Sequence, residues 1–471
     1  ATVHPNDLQL SKLTTLDLNV YTTSLFKLPG GAVGLAFGGQ FRREVFDQNP
    51  DQQNVNGDIV GLTAGATLTN AGRKSFGIYG ETVVPIFSPE MKVPLLHLME
   101  FTASGRFEDY LNNDTNIMVP KVGVRWQPFD DSLTLRSTWG EGFREPSLLE
   151  LYNSPSSGFT NVFDRRNPGG PAFIRNVDNL IVSNPRLAPE DSRNFSAGFV
   201  YTPRFIEGLT LSTDFFVIER HDVVGAPASQ DVLNRENHPL PGEEIIRDSQ
   251  GFLVQITEPF ENLGQERAEG FDFAIQYQVQ TKFGRFTSLT DATYLESFRA
   301  SITQAAPALE LRSQPADGIS QDAFLKWKAR SRLDWSLGGF TLSTTVNYLD
   351  GFHEIIFVDP IFPDNKKEHW VHQTFFFDAQ ASYQFHIAPP VAPAVTGESK
   401  DVQKQFESFN TSLPCWKKVL DNTTLTVGCN NIFGQDPPRA FGFFDGSTNN
   451  YPGFIYSAVG RFVYVSVTKK F

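Results

Sequence analysis

Arginine and aromatic side chains with the chemistry of ligand recognition concentrate in two long polar segments of the sequence. The first segment follows Gly142 and contains Arg144, Tyr152, Arg165 and Arg166. A guanidinium group can bind a carboxylate or a phosphate through two parallel hydrogen bonds, so these arginines are candidates for holding an anionic ligand. The alternative is that they are solvated or paired with neighbouring acids, which is common for charges at a surface.

The second segment follows residue 432 and combines one arginine with several aromatic rings. Its candidate residues are Arg439, Phe441, Phe443, Phe444 and Tyr451. Aromatic faces that are exposed to water can stack on a sugar or on an aromatic ligand. The alternative is that these rings pack on neighbouring loops or on the lipid interface, since membrane barrels carry girdles of aromatic residues.

No arrangement typical of an active site or a metal centre accompanies these candidates. None of the eight histidines lies in a ligand spacing such as HExxH. The segment DQQNVNGDIVGLT fails as an EF-hand loop, because Thr63 stands where a bidentate glutamate is needed. We therefore expect no enzyme activity and no cofactor. The net charge of −13 also argues against nucleic acid as a partner, because no basic field is present to neutralise phosphates.

The two cysteines, Cys415 and Cys429, fit an exported protein with few thiols. If Cys429 lies well along a strand that Cys415 precedes, the two residues are too far apart for a disulfide. A bridge and two free thiols are both left open by the sequence.

The elements that must position these residues are segments in which apolar and polar residues alternate. In GFDFAIQYQV, Phe271, Phe273 and Ile275 fall on one face, while Asp272 and Gln276 fall on the other. We count about fifteen segments of this kind, and their period of two predicts an all-β chain. They lie near 15–27, 31–46, 73–87, 95–110, 117–128, 132–142, 193–203, 208–221, 268–281, 283–297, 325–337, 340–350, 373–387, 422–431 and 455–471.

The connections between these predicted strands alternate in length. Turn-like connections such as TKFG (281–284) and SLGG (336–339) alternate with long polar segments such as 143–192 and 222–267. The predicted strands are also longer than the ~5–6 residues that are usual in soluble sheets. Together these features predict a transmembrane antiparallel β-barrel of an outer membrane. A soluble all-β binding protein is the less favoured alternative, because sandwiches also alternate apolar and polar residues.

Several segments resemble the C-terminal barrel of TonB-dependent outer-membrane receptors, and they occur in the order found in that family. These segments are WGEGFREPSLLELY (139–152), NPRLAPEDSRNFSAGFVY (184–201), NLGQERAEGFDFAIQY (262–277), VGCNNIFGQDPP (427–438) and GRFVYVSVTKKF (460–471). Residues 1–138 resemble the family more loosely. The resemblance implies an outer-membrane receptor that imports a scarce nutrient such as a siderophore, a vitamin or an oligosaccharide, with the TonB complex as its energy-coupling partner.

The resemblance also implies parts that the counted strands do not supply. The family has an N-terminal plug domain inside a barrel of about 22 strands, preceded by a segment that contacts TonB. We therefore expect residues 1–471 to be a single barrel domain that is N-terminally truncated, without the plug, the TonB box and roughly the first seven strands. A passive porin of about 16 strands is the alternative, since bacterial barrels have even strand numbers. It would need a further strand within residues 1–14.

Residues 388–421 interrupt the alternation of connection lengths. A long segment that begins with Pro and Ala stands where a tight turn is expected, and we predict an exposed insertion on the turn side, which the resemblance makes the periplasmic side.

The last predicted strand carries an assembly signal by resemblance. Val463, Val465 and Val467 fall on the lipid-facing side, and the terminal aromatic Phe471 resembles the signal that barrel-assembly machinery recognises. Lys469 falls in the same lipid-facing series. A lysine is tolerable there only if it lies at the periplasmic interface, where its ammonium group can reach water.

Overall fold

The computed structural model describes most of the chain. The described residues are 4–56, 58, 68–111, 115–168, 173–301, 308–313, 324–357, 366–387, 414–440, 451–453 and 455–470. Among these residues, one large antiparallel sheet contains most of the regular structure. No described helix is both long enough and apolar enough to cross a membrane.

Fifteen strands follow one another in chain order across this sheet, and each pairs antiparallel with the next. They are β1 (Leu8–Thr22), β2 (Gly34–Asn49), β3 (Thr69–Phe87), β4 (Leu98–Tyr110), β5 (Thr115–Gln127), β6 (Leu133–Arg144), β7 (Glu190–Tyr201), β8 (Leu209–Gly225), β9 (Glu261–Thr281), β10 (Gly284–Ser301), β11 (Trp327–Leu337), β12 (Phe340–Leu349), β13 (Thr374–Gln384), β14 (Thr423–Asn430) and β15 (Phe462–Lys469). A short strand, Leu309–Glu310, pairs only with β10. The all-β antiparallel fold and the strand count that the sequence predicts are confirmed.

The predicted bounds differ most at the starts of β9 and of the two end strands, β1 and β15. β1 begins at Leu8 and pairs with β2 without a break from Leu8–Asn49 to Thr22–Leu35. Residues 8–14 alternate only weakly, but the backbone ladder to β2 extends over them, so no separate strand occurs among residues 4–14. At the other end, β15 spans Phe462–Lys469, later than the start predicted at residue 455.

The connections alternate between a turn end and a loop end of the sheet. At the turn end, β9 and β10 are joined by two residues, and so are β11 and β12. Gly338 makes the second of these turns with a φ of 58°, a left-handed conformation that glycine adopts without steric cost. The loop end carries the long segments, including those between β6 and β7 and between β8 and β9.

The register assigns the two faces of the sheet. Val427 pairs with Val465, and Leu425 pairs with Val467, and all four side chains are exposed. On the opposite face, Tyr464 Oη donates to Gln380 Oε1 at 2.9 Å. An apolar exposed face and a polar opposite face are the pattern of a membrane barrel, in which apolar side chains meet lipid and polar ones meet the lumen.

Aromatic rings form a row across neighbouring strands on the outer face. Ring centroids lie 5.2 Å apart for Phe215 and Phe271, 6.2 Å for Phe271 and Phe273, and 6.1 Å for Phe273 and Trp327. A second group lies near the turn end, where Trp335 contacts Phe340 at 5.9 Å. Two aromatic bands on one apolar face correspond to the interfacial girdles of a membrane barrel.

The sheet is open between its first and last strands in the described part of the chain. β1 pairs only with β2, and β15 pairs only with β14. Nearly every residue of β1 is exposed. Unpaired backbone groups along such edges favour pairing with further strands, because a closed barrel leaves no edge exposed.

The loop end contains folded structure that the sequence does not reveal. A four-stranded sheet forms from Glu244–Arg247, Leu253–Pro259, Phe173–Val182 and Ser156–Asp164, in that order. A separate hairpin joins Phe352–Phe357 to Lys366–Val371. These strands lie within long polar connections of the sequence, for which no strand is predicted. The four-stranded sheet, which we call the loop sheet, draws its strands from two different loops, so no single segment shows the pattern.

Part of the predicted insertion 388–421 is described. Residues 388–413 lie outside the described residues, and the helix Cys415–Leu420 follows them immediately before β14. Cys429 is a free thiol near the far end of β14. Residue 429 lies roughly 20 Å along the strand from residue 423 at ~3.3 Å per residue, which separates it from the helix.

Candidate functional site

A buried carboxylate ties together four strands at the loop end of the sheet. Glu190, the first residue of β7, is 3% exposed. Its Oε1 accepts hydrogen bonds from Arg144 Nη2 at 2.5 Å and from the Val224 backbone N–H at 2.8 Å. Its Oε2 accepts one from Arg220 Nη2 at 2.8 Å, and Arg220 also bonds Glu266 Oε2 at 2.7 Å. This network, which we call the rim cluster, fixes the points at which two long loops leave the sheet.

The same network holds the first turn of the loop after β6. Arg144 donates to both carboxylate oxygens of Glu150, at 2.9 and 3.0 Å. Glu150 lies in the helix Leu148–Tyr152 and completes a capping box with Ser147, which satisfies backbone N–H groups at the start of the helix. Burial raises the pKa of Glu150, but the hydrogen bonds from Arg144 and Ser147 outweigh it and hold that pKa below its usual value.

The loop sheet has a small hydrophobic core of its own. Val162, Leu253 and Ile256 are buried under the helix Ser229–Asn234, which contributes Val232. Ile256 and Val232 are both 0% exposed. Because the core combines strands from one loop with a helix and strands from the other, burial of these side chains joins the two loops into one folded body.

An arginine-centred ion-pair network closes one end of the loop sheet. Arg247 donates to both oxygens of Asp164 at 2.9 and 3.0 Å, and to both oxygens of Glu236 at 2.8 and 3.0 Å. Asp164 is 1% exposed. The hydrogen bonds to Asp164, followed by those to Glu236, raise the pKa of Arg247 above its usual value. Arg166 joins the network through Glu236, at 3.2 Å.

Two other acids have raised pKa values: Glu258, which is buried in the loop sheet, and Asp231, which is half-buried in the helix Ser229–Asn234. Burial raises the pKa of Glu258, although Ser229 and Asn179 donate hydrogen bonds to its carboxylate. Burial also raises the pKa of Asp231, and the nearby Glu243 acts in the same direction while Arg235 opposes it. These carboxylates therefore reduce the stability of the loop sheet in their ionised forms.

A recess of about 490 Å³ lies at the loop end near β12–β15. Its polar wall includes Asn347, Asp378 and Asn431, and its apolar wall includes Phe376 and Tyr456. Asp378 accepts hydrogen bonds from Asn347 Nδ2 at 2.9 Å and from the Asn431 backbone N–H at 2.8 Å. Asn431 belongs to the segment VGCNNIFGQDPP, so one signal for this recess was present in the sequence.

The structure places the residues predicted in the first segment at the loop end, but in different environments. Arg144 is engaged in the rim cluster, and Arg166 is engaged in the network of the loop sheet. Arg165 is exposed, and so is Tyr152 at the end of its helix. The side chain of Arg166 is also 51% exposed beside Glu236. The part of these residues in ligand binding stays a prediction.

The second predicted segment is described only in part. Arg439 is exposed, whereas Tyr451 packs against a buried cluster that contains Phe352 and Tyr456. Tyr451 therefore packs on neighbouring loop residues, which is the alternative to stacking on a ligand. The remaining candidates, Phe441, Phe443 and Phe444, lie outside the described residues, as does Phe471 of the predicted assembly signal.

Several residues of the loop end were not singled out from the sequence. Phe159 and Ile246 are 66% and 38% exposed on the loop sheet. Glu190 and Arg220 form the rim cluster with Arg144, yet the sequence gives no sign that they meet. In the described part of the chain, no group of three His, Cys, Asp or Glu side chains is arranged to hold a metal ion.

Comparison with known proteins identifies the family of this fold. Residues 3–432 match the family described as TonB dependent receptor-like, beta-barrel, and the chain belongs to that family. Barrels of this family lie in the Gram-negative outer membrane. Such barrels have short periplasmic turns and longer extracellular loops, so we assign the turn end of the sheet to the periplasm and the loop end to the outside. A comparison with curated protein sequences gave no match.

Similar solved structures share the fold at low sequence identity. The siderophore receptor PirA from Acinetobacter baumannii has a TM-score of 0.58 and 14% identity, covering 97% of this chain and 55% of its own. The ferric enterobactin receptor PfeA from Pseudomonas aeruginosa gives 0.60 and 15%, covering 98% and 54%. The ferripyoverdine receptor of the same organism, bound to ferripyoverdine, gives 0.52 and 12%, covering 93% and 46%. The chain therefore spans about half the length of these relatives.

Proposed function

We propose that this chain is the barrel part of a receptor that imports a ferric siderophore across the outer membrane. Family membership carries the proposal, and the names of the similar structures, which are receptors for siderophores, favour this substrate among the nutrients that the family imports. The chain adds an extracellular surface that is already folded, since the loop sheet has its own core. A pre-formed surface lowers the entropic cost of capturing a scarce ligand.

The mechanism assigns separate tasks to the parts of the molecule. The loop sheet and the recess beside Asp378 offer first contacts to the ligand, and exposed cations such as Arg165 and Arg439 attract an anionic chelate. The rim cluster holds the loops in register above the barrel. Movement of the ligand through the lumen then requires a plug and the TonB complex, and the barrel-assembly machinery inserts the strands into outer-membrane lipid.

Uptake by cells tests the proposal directly. The complete gene is deleted and restored in its host, and cells are grown under iron limitation with single ferric siderophores. We expect at least one siderophore to support growth only when the gene is present, and uptake to stop when the proton motive force is collapsed. Cobalamin, a vitamin, and a maltodextrin, an oligosaccharide, are tested in parallel as substrates of the other two nutrient classes.

The same assay separates the alternatives. Uptake that persists without a proton motive force, together with ohmic conductance in a planar bilayer, would identify a passive porin. Recovery of the protein in the soluble fraction without detergent would contradict both membrane functions. Energy-dependent uptake of cobalamin or a maltodextrin alone would retain the receptor class and reject the siderophore.

A further inference from the structure

A short helix at the periplasmic end is tied to the outer side of the sheet. The helix Cys415–Leu420 precedes β14, and two side chains bind carbonyl groups at its C-terminal end. Thr423 Oγ1 donates to the Val419 carbonyl oxygen at 2.5 Å, and Lys469 Nζ donates to the Asp421 carbonyl oxygen. The helix is thus held by both of the last two strands.

The register shows which side of the sheet these two bonds come from. Thr423 pairs with Lys469, and paired residues of an antiparallel sheet project from the same face. Two residues further along, Leu425 pairs with Val467, and these side chains are 39% and 67% exposed on the apolar face. Both bonds therefore come from the lipid-facing series, and the C-terminal end of the helix lies on that side.

The helix exposes two large apolar side chains. Trp416 is 59% exposed and Val419 is 66% exposed. Residues three apart in a helix lie on the same face, so the two side chains form one small apolar surface. The bonds from Thr423 and Lys469 hold the C-terminal end of this helix next to the periplasmic end of the exposed valine series of β15. Tryptophan is the residue most characteristic of this depth, because its ring is apolar and its N–H is polar.

Two lysines lie at this helix, although the whole chain carries a net charge of −13. The ammonium group of Lys417 lies 5.4 Å from the centre of the Trp416 ring. Lys469 ends the lipid-facing series of β15, and its ammonium group donates to the Asp421 carbonyl oxygen. Lys417 and Lys469 are therefore the cations on this side, and Asp421 is the acid at the end of the helix.

We propose that the helix Cys415–Leu420 is an interfacial anchor that binds anionic phospholipid headgroups of the periplasmic leaflet. Trp416 and Val419 enter the boundary between headgroups and acyl chains, and Lys417 faces phosphate groups. An apolar face beside basic residues is the composition of helices that lie in a membrane interface. The anchor fixes the depth of β14 and β15, and it is independent of the substrate that the receptor imports.

A fluorophore at position 419 tests this inference in the complete protein. Cys415→Ser and Cys429→Ser provide a background, and Val419→Cys carries the label in vesicles of phosphatidylcholine with or without phosphatidylglycerol. We expect brominated lipid to quench this label and iodide to leave it bright when phosphatidylglycerol is present. Val465→Cys gives the lipid-facing reference, and Asp131→Cys, whose native side chain is 82% exposed in another periplasmic turn, gives the aqueous reference.

The charge of the headgroup is tested by removing one lysine. Lys417→Gln should reduce the ratio of inserted to free label about fivefold in phosphatidylglycerol vesicles, since one lysine near an anionic surface contributes a factor of that size. Lys282→Gln is the matched control, because Lys282 also lies over an aromatic ring, Phe283, at a periplasmic turn far along the sheet. Circular dichroism confirms that each variant retains its barrel.

Two outcomes would overturn the inference. A label at position 419 that iodide quenches as strongly as it quenches the label at position 131 would show that the helix faces water. Equal quenching by brominated lipid with and without phosphatidylglycerol would show that anionic headgroups are not the partner.

Discussion

Glu190 and Arg144 form the first pair of the register between β7 and β6, and their side chains meet at 2.5 Å, from Oε1 to Nη2. Strand pairing and side-chain chemistry therefore coincide at the point where the chain leaves the membrane. Because Glu190 is buried and also binds Arg220, its charge is matched only while β6, β7 and β8 keep their positions. The pair therefore holds the extracellular loops in a fixed position relative to these three strands.

Replacing Glu190 with glutamine should loosen these loops. Glu190→Gln keeps the shape but removes the charge that Arg144 and Arg220 share, and we expect a loss of about 2 kcal/mol in local stability. Amide hydrogen exchange of the helix Leu148–Tyr152 measures this loss. Glu141→Gln is the control, since Glu141 is partly exposed and lies 3.7 Å from Arg193, a geometry that contributes little. Equal losses of exchange protection in the two variants would contradict this role of Glu190.

The core of the loop sheet makes a second prediction. Ile256→Ala should cost about 3 kcal/mol of loop-sheet stability, because the side chain is 0% exposed and leaves a cavity. The barrel should be unaffected. We therefore expect a protease to cleave the loops faster, while the melting temperature of the barrel stays unchanged. Val254→Ala, at a neighbouring position that is 44% exposed, should change little. Loss of the barrel in Ile256→Ala would show that the loop sheet is not a separate folding unit.

A pH dependence follows from Glu258. Its pKa is raised by burial, so the folded loop sheet favours the protonated form. The associated stability is fully present below the unfolded value of 4.5 and is lost as the pH rises through the folded pKa. Hydrogen-exchange protection of Leu253–Pro259 should therefore fall as the pH rises from about 4.5. Glu258→Gln should flatten this dependence, whereas Glu244→Gln, which removes an exposed carboxylate from the adjacent strand, should leave it unchanged.

The two faces of the last strands predict different tolerance of charge. Val465→Arg places a cation in lipid, and we expect a cost of about 2–4 kcal/mol if the position is near the midplane. Thr426→Arg places the same side chain on the polar face of β14, one residue away in register, and should cost much less. Folding yield into vesicles, read by heat-dependent gel mobility, measures both. A larger loss for Thr426→Arg would reverse the assignment of the faces.

The sequence was sufficient for the sheet because a transmembrane strand is a local pattern. Phe271 and Phe273 alternate with Asp272 whatever the rest of the chain does, since successive side chains of a strand point to opposite faces. The short turns between strands are equally local. The predicted start of β1 at residue 15 differs from the observed start at Leu8, because pairing with β2 extends that strand over residues whose own pattern is weak.

The candidate site was harder to predict, because its parts meet only across the fold. The arginines after Gly142 were found, yet their roles differ. Arg144 pairs with Glu190, which is 46 residues away in the chain, and Arg166 joins a network centred on Arg247. An arginine forms a structural ion pair if the fold brings an acid close to it, and otherwise it stays free to contact a ligand. The spacing of residues in the sequence does not encode the distance between the arginine and the acid.

The sequence by itself determined the class of fold, the family, the outer-membrane location and the series of valines on the exposed face of the last strand. Each of these depends on periodicity or on a contiguous motif. Only the tertiary structure decided that two loops share one core around Ile256, and that Lys469 binds the carbonyl group of Asp421 at the end of a helix. Both contacts join segments distant in the chain, and such contacts form only when the strands between them are paired and in register.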